Sequence, residues 1–312
     1  MANHRLKDQP HLSDKTLMSL VGRLCDTYQD KIGINHAESC DLPRNDEIIL
    51  LVKKLNEIIF PGFSFSANYS LASMPYHVGH LLTELHSLLL DLMVRACCFD
   101  CPEHGNKDCD VGDRCEKSAA ILLDSLPELR ESMKLDIEAA YAGDPAAVSI
   151  NEVILSYPGL RTIIIQRFAH LMYHEGIPLL PRMLTEHAHS QTGIDIHPGA
   201  HLGKGIFIDH GTGVVIGETT HIGDNAKIYQ GVTLGALSFP KDSSGLIIKG
   251  KKRHPTLEDN VTIYAGASVL GNIVIGKNSI IGGNVWLTES LPPNTRIMIS
   301  PPEQRIRTKE QH

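Results

Sequence analysis

The stretch IHPGAHLGKGIFIDHGTGVVIGETTHIGDNAKIYQGVTLG (residues 196–235) carries an aliphatic residue every six positions. The series runs Ile196, Leu202, Ile208 and, after a two-residue insertion read at Gly213-Val214, Ile216, Ile222, Ile228 and Leu234. A second block keeps the step with Leu257, Ile263, Val269, Ile275, Ile281 and Leu287. Four residues after most of these stands a small or β-branched side chain: Ala200, Thr212, Thr220, Ala226, Val232, Val261, Ala267, Ser279 and Val285. A step of six is neither the helical repeat nor strand alternation. It is the hexapeptide pattern of a parallel β-helix, in which each short strand turns a corner and stacks its aliphatic residue on the coil below.

Upstream the period changes. Residues 47–60, 80–97 and 160–174 carry apolar stripes at helical spacing, and residues 117–142 read as helices broken near Pro127. A short helix is expected after Pro181. The fold class is therefore α+β: an α-helical part over residues 1–190, then a β-helix over 191–312 with a polar tail. A long loop, 236–255, interrupts the coil, ends in a bunch of basic residues, and by its length points to function.

Composition narrows the function. The 312 residues are 42% hydrophobic and 21% charged, with a formal net charge of −7, so no general attraction to nucleic acid is expected. The N-terminus lacks the apolar core of a signal peptide, and no apolar run is long enough to span a bilayer. A cytoplasmic location is the expectation. All seven cysteines precede residue 116, and five of them, Cys97, Cys98, Cys101, Cys109 and Cys115, are dense enough to suggest a metal, a cluster or a redox clip. Their spacing fits no common zinc template, and reduced thiols are the plainer reading.

The chemistry is expected at His210. It lies two residues after the inward Ile208, at an outward position beside the insertion. Asp195 precedes it by 15 residues, close to the roughly 18 of one three-strand coil, so the two are expected as near neighbours on adjacent coils. A carboxylate beside an imidazole fixes its tautomer and stabilises its charged form. Imidazole is the natural general base near neutral pH. The coil has no cysteine, so direct attack by an activated substrate is simpler than a cysteinyl relay. His197, His201 and His221 read as structural or exposed.

Three segments, DIHPGAHLGKGIFIDHGTGVVIGET (195–219), GVTLGA (231–236) and KKRHPTLEDNVTIYAGASVLGN (251–272), resemble the serine O-acetyltransferases. The resemblance extends over about residues 140–295, through GDPAA (143–147) and RFAHLMYHEG (167–176). It implies a left-handed coil, three chains side by side as a homotrimer or a dimer of trimers, and active sites in the clefts between neighbours. His210, oriented by Asp195, would take the proton of the L-serine hydroxyl, which attacks acetyl-CoA to give O-acetyl-L-serine and CoA. Asp144 and Asp209 would bind the amino group, and Arg253 with His254 the carboxylate, a role that suits the guanidinium fork. Gly235, Ala236, Ala265 and Gly266 would line the acetyl-CoA groove, with Lys249, Lys251 and Lys252 near its phosphates. No metal is required, and L-cysteine is implied as a feedback inhibitor.

Two departures bear on this. Tyr264 stands where many relatives have Gly, and the tail reads ISPPEQR (299–305) and ends in Gln-His, where many relatives have GVPAR and a closing isoleucine. A stable complex with O-acetylserine sulfhydrylase is therefore not expected. Asp144-Pro145 also has an ordinary reading as a helix start. The competing functions are acetyl transfer to a sugar or antibiotic, a carbonic anhydrase needing three histidines on zinc, and a non-catalytic trimeric scaffold. The charges of Asp144, Asp209 and Arg253 suit a zwitterionic amino acid better than a sugar.

Overall fold

The structure is a computed structural model that describes residues 13–28, 34, 41–63, 70–100, 110–238, 241–248 and 250–300. It divides into two compact units, residues 1–41 and 42–312. The first contains α1 (Asp14–Thr27), whose Ser13 side chain caps it by accepting from Thr16 N. Leu17, Met18, Val21 and Leu24 of that helix are exposed.

Among the described residues of the second unit seven helices precede the strands: α2 (Asn45–Ile59), α3 (Met74–Asp100), α4 (Val111–Asp124), α5 (Leu126–Gly143), α6 (Ile150–Ser156), α7 (Pro158–His174) and α8 (Leu180–Thr192). Each expected stripe forms one: Ile48, Leu51, Val52, Leu55 and Ile59 bury one face of α2, and Leu81, Leu85, Leu89 and Leu92 that of α3. Helix α7 is buried on nearly every side, from Leu160 to Met172, because it lies between the other helices and the strands.

Among the described residues fourteen strands, nearly all two residues long, follow. β1 (Asp195–Ile196), β4 (Val215–Ile216), β7 (Thr233–Gly235), β10 (Ser268–Leu270) and β13 (Trp286–Leu287) form one sheet. β2 (His201–Leu202), β5 (His221–Ile222), β8 (Thr256–Leu257) and β11 (Val274–Ile275) form a second. β3 (Phe207–Ile208), β6 (Lys227–Ile228), β9 (Thr262–Ile263), β12 (Ile280–Ile281) and β14 (Arg296–Ile297) form the third. Every pairing between these strands is parallel, and from β1 to β13 the chain visits the three sheets in turn, so each coil is three strands and three corners. The hexapeptide aliphatics fill the bore: Ile216, Ile222, Ile228, Leu234, Leu257 and Ile263 are at most 1% exposed. They belong to the same continuous core as the helices from Ile48 onward.

The insertion is displaced from the expected place. Val214 is fully buried and Thr212 exposed, so Val214 takes the inward position two before Ile216, as Ala226 does before Ile228. The extra residues are thus in the corner after β3, between Ile208 and Val214, and they lengthen the register of Asp195 with Val215 to 20 residues. Later unbroken coils repeat at 18, as for Val215 and Thr233.

Two columns of left-handed residues turn the corners. Gly205, Asn225, Asn260, Asn278 and Asn294 have positive φ between the second and third sheets, and Gly213, Gly231, Gly266 and Asn284 between the third and first, with Gly193, the C-cap of α8, just ahead of β1. Glycine and asparagine tolerate this conformation best. The asparagines also bond in file, Asn260 Nδ2 donating to Asn278 Oδ1 at 3.1 Å and Asn278 Nδ2 to Asn294 Oδ1 at 2.9 Å.

Candidate active site

Two glycines seat the helices on the coil where the chemistry is expected. A Cβ on Gly159 of α7 would stand 2.3 Å from the carbonyl oxygen of Ile208, and one on Gly143 of α5 would stand 2.6 Å from Phe207 Cδ1. The start of α7 and the end of α5 therefore rest directly on β3, one residue before Asp209. This carries Tyr157 and Asp144 to the corner that holds Asp209 and His210.

Asp144 ends a helix here: it is the C-cap of α5 rather than the cap of a following one. Its Oδ1 accepts from Ala146 N at 2.8 Å and its Oδ2 from the Tyr157 hydroxyl at 2.5 Å. The Tyr157 bond holds the Asp144 carboxyl below its ordinary range, and the same bond pushes the phenol up to about 12. The charge of His210 also reaches Asp144, and that of Asp209 reaches Tyr157. His210 Nε2 lies 3.7 Å from Asp209 Oδ2, with the imidazole side chain 71% exposed. Its backbone is left-handed, at φ 56°. At the other coil corners such φ falls to glycine or asparagine, so His210 holds a conformation costly for its type at the place where function is expected. Along the same corner Tyr229 and Tyr264 stack at 5.1 Å with planes 9° apart, which places the unusual Tyr264 against a neighbour instead of leaving it loose in a groove.

Asp195 opens β1, just past this corner, and the bulge packs against the residues before it through Gly213 N donating to Gly193 O at 2.8 Å. Its carboxylate gathers with Glu186 and His189 of α8, their ligand atoms within 4.8 Å of one another. Among the described residues no hydrogen bond or ion pair joins Asp195 to His210.

Arg253 and His254 sit on a different corner, between the first and second sheets. His254 is 7% exposed, with its ring over Gly217, where a Cβ would stand 2.1 Å from Cδ2. Thr219 holds it: Oγ1 accepts from Arg253 N at 3.0 Å and His254 N at 3.1 Å, while Thr219 N donates to His254 Nδ1 at 3.1 Å. Nδ1 is thus an acceptor and Nε2 carries the proton. Burial, then the charge of Arg253, lowers the imidazole pKa to about 4, so the ring is neutral. Arg253 is ion-paired with Glu218, whose other oxygen accepts from the Tyr173 hydroxyl at 3.0 Å.

Gly235 ends β7 and Ala236 follows it, whereas Ala265 and Gly266 lie on the corner of His210. Gly266 has a structural reason to be glycine: its φ is 71°, and a Cβ would meet Asn284 Oδ1 at 2.4 Å. Lys249 and the tail 301–312 lie outside the described residues, as do Cys101 and Cys109. Cys97 and Cys115 are buried and hydrogen-bonded thiol to thiol; that bond takes Cys97 down to about 7 and Cys115 upward.

Tyr157, Glu218 and Thr219 escaped the sequence reading. Their partners are 13, 35 and 34 residues away, so spacing carried no signal, although Glu218 and Thr219 close the very segment that bears the resemblance.

A curated serine acetyltransferase of Synechococcus elongatus, described as plasmid-borne, is 44% identical to this chain over 259 residues, covering 82% of this chain and 81% of that one. The chain belongs to the serine acetyltransferase family. A second member, from Mycobacterium tuberculosis, is 47% identical over 175 residues, covering 56% of this chain and 72% of its own. Among solved structures, serine acetyltransferase isoform 3 of Entamoeba histolytica, in complex with cysteine, matches with a TM-score of 0.71 at 36% identity over 95% of this chain and 96% of that one. The model of the bacterial transferase hexapeptide (six repeats) matches residues 254–289. As in that family, helices lead into a left-handed parallel β-helix.

Proposed function

We propose that this protein transfers the acetyl group of acetyl-CoA to the hydroxyl of L-serine, giving O-acetyl-L-serine and CoA for cysteine biosynthesis. The observation that carries this reading is the gathering of Asp144, Tyr157, Asp209 and His210, from a helix end, a helix start and a coil corner, around one exposed imidazole. Two carboxylates there suit a primary ammonium, whose charge-assisted hydrogen bonds are stronger than those a neutral sugar's hydroxyls could donate. His210 takes the hydroxyl proton while the oxygen attacks the thioester carbonyl. The C–S bond then breaks, and the imidazolium returns its proton to the departing thiolate. Asp195 orients His210 in this reading.

Arg253, held by Glu218, and His254, a neutral donor at Nε2, recognise the serine carboxylate. They stand one sheet-width from His210 within a single chain, which supports a homotrimer, or a dimer of trimers, whose neighbours supply complementary corners. Gly235, Ala236, Ala265 and Gly266 line the groove for the pantetheine arm, and Lys251 and Lys252 face its phosphates. L-cysteine, an isosteric zwitterion, competes at the serine site. A stable complex with O-acetylserine sulfhydrylase is not part of this reading, nor is a metal required for turnover. The helical part, residues 1–190, contributes Asp144 and joins chains together.

Thiol release from acetyl-CoA, with L-serine, a sugar and a chloramphenicol-type acceptor run in parallel, tests the assignment. Serine-dependent release is expected, and His210→Ala should lower turnover at least about 10²-fold. Asp195→Asn should cost less, and Arg253→Ala should act mainly on serine affinity. An unaltered rate in His210→Ala removes the mechanism.

A further inference from the structure

Where α8 ends and β1 begins, three ligand-bearing side chains come together. Glu186 and His189 are three residues apart near the end of α8, so they share one face of the helix. Asp195 follows two residues after Gly193, whose left-handed backbone ends the helix and turns the chain onto the first coil. One ligand atom from each of the three lies within 4.8 Å of the other two.

We propose that Glu186, His189 and Asp195 bind a divalent transition-metal ion of the zinc type, and that this ion competes with His210 for Asp195. Three features carry this. First, a helical Glu-x-x-His pair presents a carboxylate and an imidazole to one metal, and here His189 Nδ1 already lies 3.3 Å from Glu186 Oε2. Ligand atoms on a tetrahedral zinc, each about 2.0–2.2 Å from it, stand roughly 3.3–3.6 Å apart. That edge is in place, and the separations to Asp195, at most 4.8 Å, close by side-chain rotation. Second, Arg182 holds Glu186 Oε1 and so fixes the carboxylate with Oε2 toward His189, the outer hydrogen bond that ligating carboxylates have. Third, among the described residues the partly buried Asp195 carboxylate accepts no hydrogen bond and joins no ion pair, so its lone pairs are available.

The charges suit a cation, since the group sets two carboxylates against the one guanidinium of Arg182. Burial raises the Glu186 carboxyl, but the bonds from His189 and Arg182 outweigh it and hold the group below its ordinary range, hence ionised. Glu186 is exposed and His189 and Asp195 are partly buried, so an ion enters from solvent. On entry the imidazole offers Nδ1 and carries its proton on Nε2, and water takes the fourth position. In the reaction proposed above Asp195 orients His210. An ion on that carboxylate removes the support, so occupancy inhibits; this consequence, unlike the binding itself, rests on the proposed function.

The test titrates untagged, chelator-stripped protein with zinc chloride in a calorimeter near neutral pH. Cysteines and the remaining histidines also bind zinc, so wild type is compared with Glu186→Gln and His189→Ala, which leave those groups intact. Glu186→Gln keeps the shape of the side chain, and metal-free thermal midpoints show that both variants are folded. Both should lose one zinc equivalent per chain, or bind it at least about tenfold more weakly. Serine-dependent loss of thioester absorbance should slow in wild type as that equivalent fills, and both variants should resist the same zinc. Equal stoichiometry and affinity in the three proteins overturns the site. A wild type that fills the equivalent at an unchanged rate overturns the competition for Asp195. If serine-dependent turnover is absent without zinc, the proposed function fails, and the calorimetry still decides the site.

Discussion

Tyr157 shows how much a single hydroxyl decides here. It is the side-chain donor on the carboxylate expected to meet the substrate ammonium, and the bond keeps that carboxylate ionised and aimed. Tyr157→Phe removes the bond without removing the ring. A hydrogen bond to a charged group is worth about 1.5–3 kcal/mol, so KM for L-serine should rise about tenfold or more while kcat moves little. Initial rates at saturating acetyl-CoA check this, and an unchanged KM would show that Asp144 is oriented by other groups. His254 makes a second prediction. Its folded pKa of about 4 is below the ordinary value near 6.5. The unfolded chain therefore takes up the proton first, and stability present above about pH 6.5 is lost as pH falls toward 4. His170, His197 and His201 are shifted the same way by burial and add to that slope. Urea midpoints measured from pH 4.5 to 7.5 should decline on acidification, and His254→Asn should make the decline shallower. An equal slope in the variant would assign the effect to other groups.

At the scale of elements, the site depends on how closely α5 and α7 approach β3. Gly159 permits that approach, because a Cβ there would lie 2.3 Å from the Ile208 carbonyl oxygen, far inside van der Waals contact with a backbone atom that cannot turn aside. Gly159→Ala should push α7 off the coil, lower stability by about 1–3 kcal/mol as overpacking does, and weaken serine binding by shifting Tyr157. Thermal unfolding and KM measured on one preparation check it, and a variant indistinguishable in both would mean that α7 is not seated through this contact. Periodicity predicted the helices and strands well, since α2, α3 and α7 and every inward aliphatic of the coil bury the residues expected. It misplaced the bulge by a few residues, because an insertion read from spacing alone has no marker for where the chain leaves the regular path. Burial of Val214 supplies that marker.

For the whole molecule, His210 and Arg253 occupy different corners of one prism. If neighbouring chains complete each other, co-refolding inactive His210→Ala chains with Arg253→Ala chains should restore activity at low serine. In a one-to-one mixture, up to about a quarter of the sites would combine two intact halves. No recovery beyond the sum of the separate variants would place the whole site within one chain. The same scale contains a feature that no motif signals: Arg167 bonds both oxygens of the buried Asp136 and reaches the carbonyls of Leu202 and Gly203, which ties α5, α7 and the first coil into one unit. The residues are 31 and more apart in sequence and look like any other surface pair.

The linear chain by itself determined the coil, because a six-residue aliphatic step has one low-energy outcome: short parallel strands stacked around a filled bore. It also marked His210, whose place beside the irregular corner stands out against that regularity. The tertiary structure alone decided the company His210 keeps. Asp144 and Tyr157 reach it through two glycines packed on β3, Arg253 is held by Glu218, and α7 meets the coil where His170 and Gln166 donate to the carbonyls of Pro198 and Ala200. Contacts between distant segments depend on shape and excluded volume in three dimensions, and a one-dimensional period records neither.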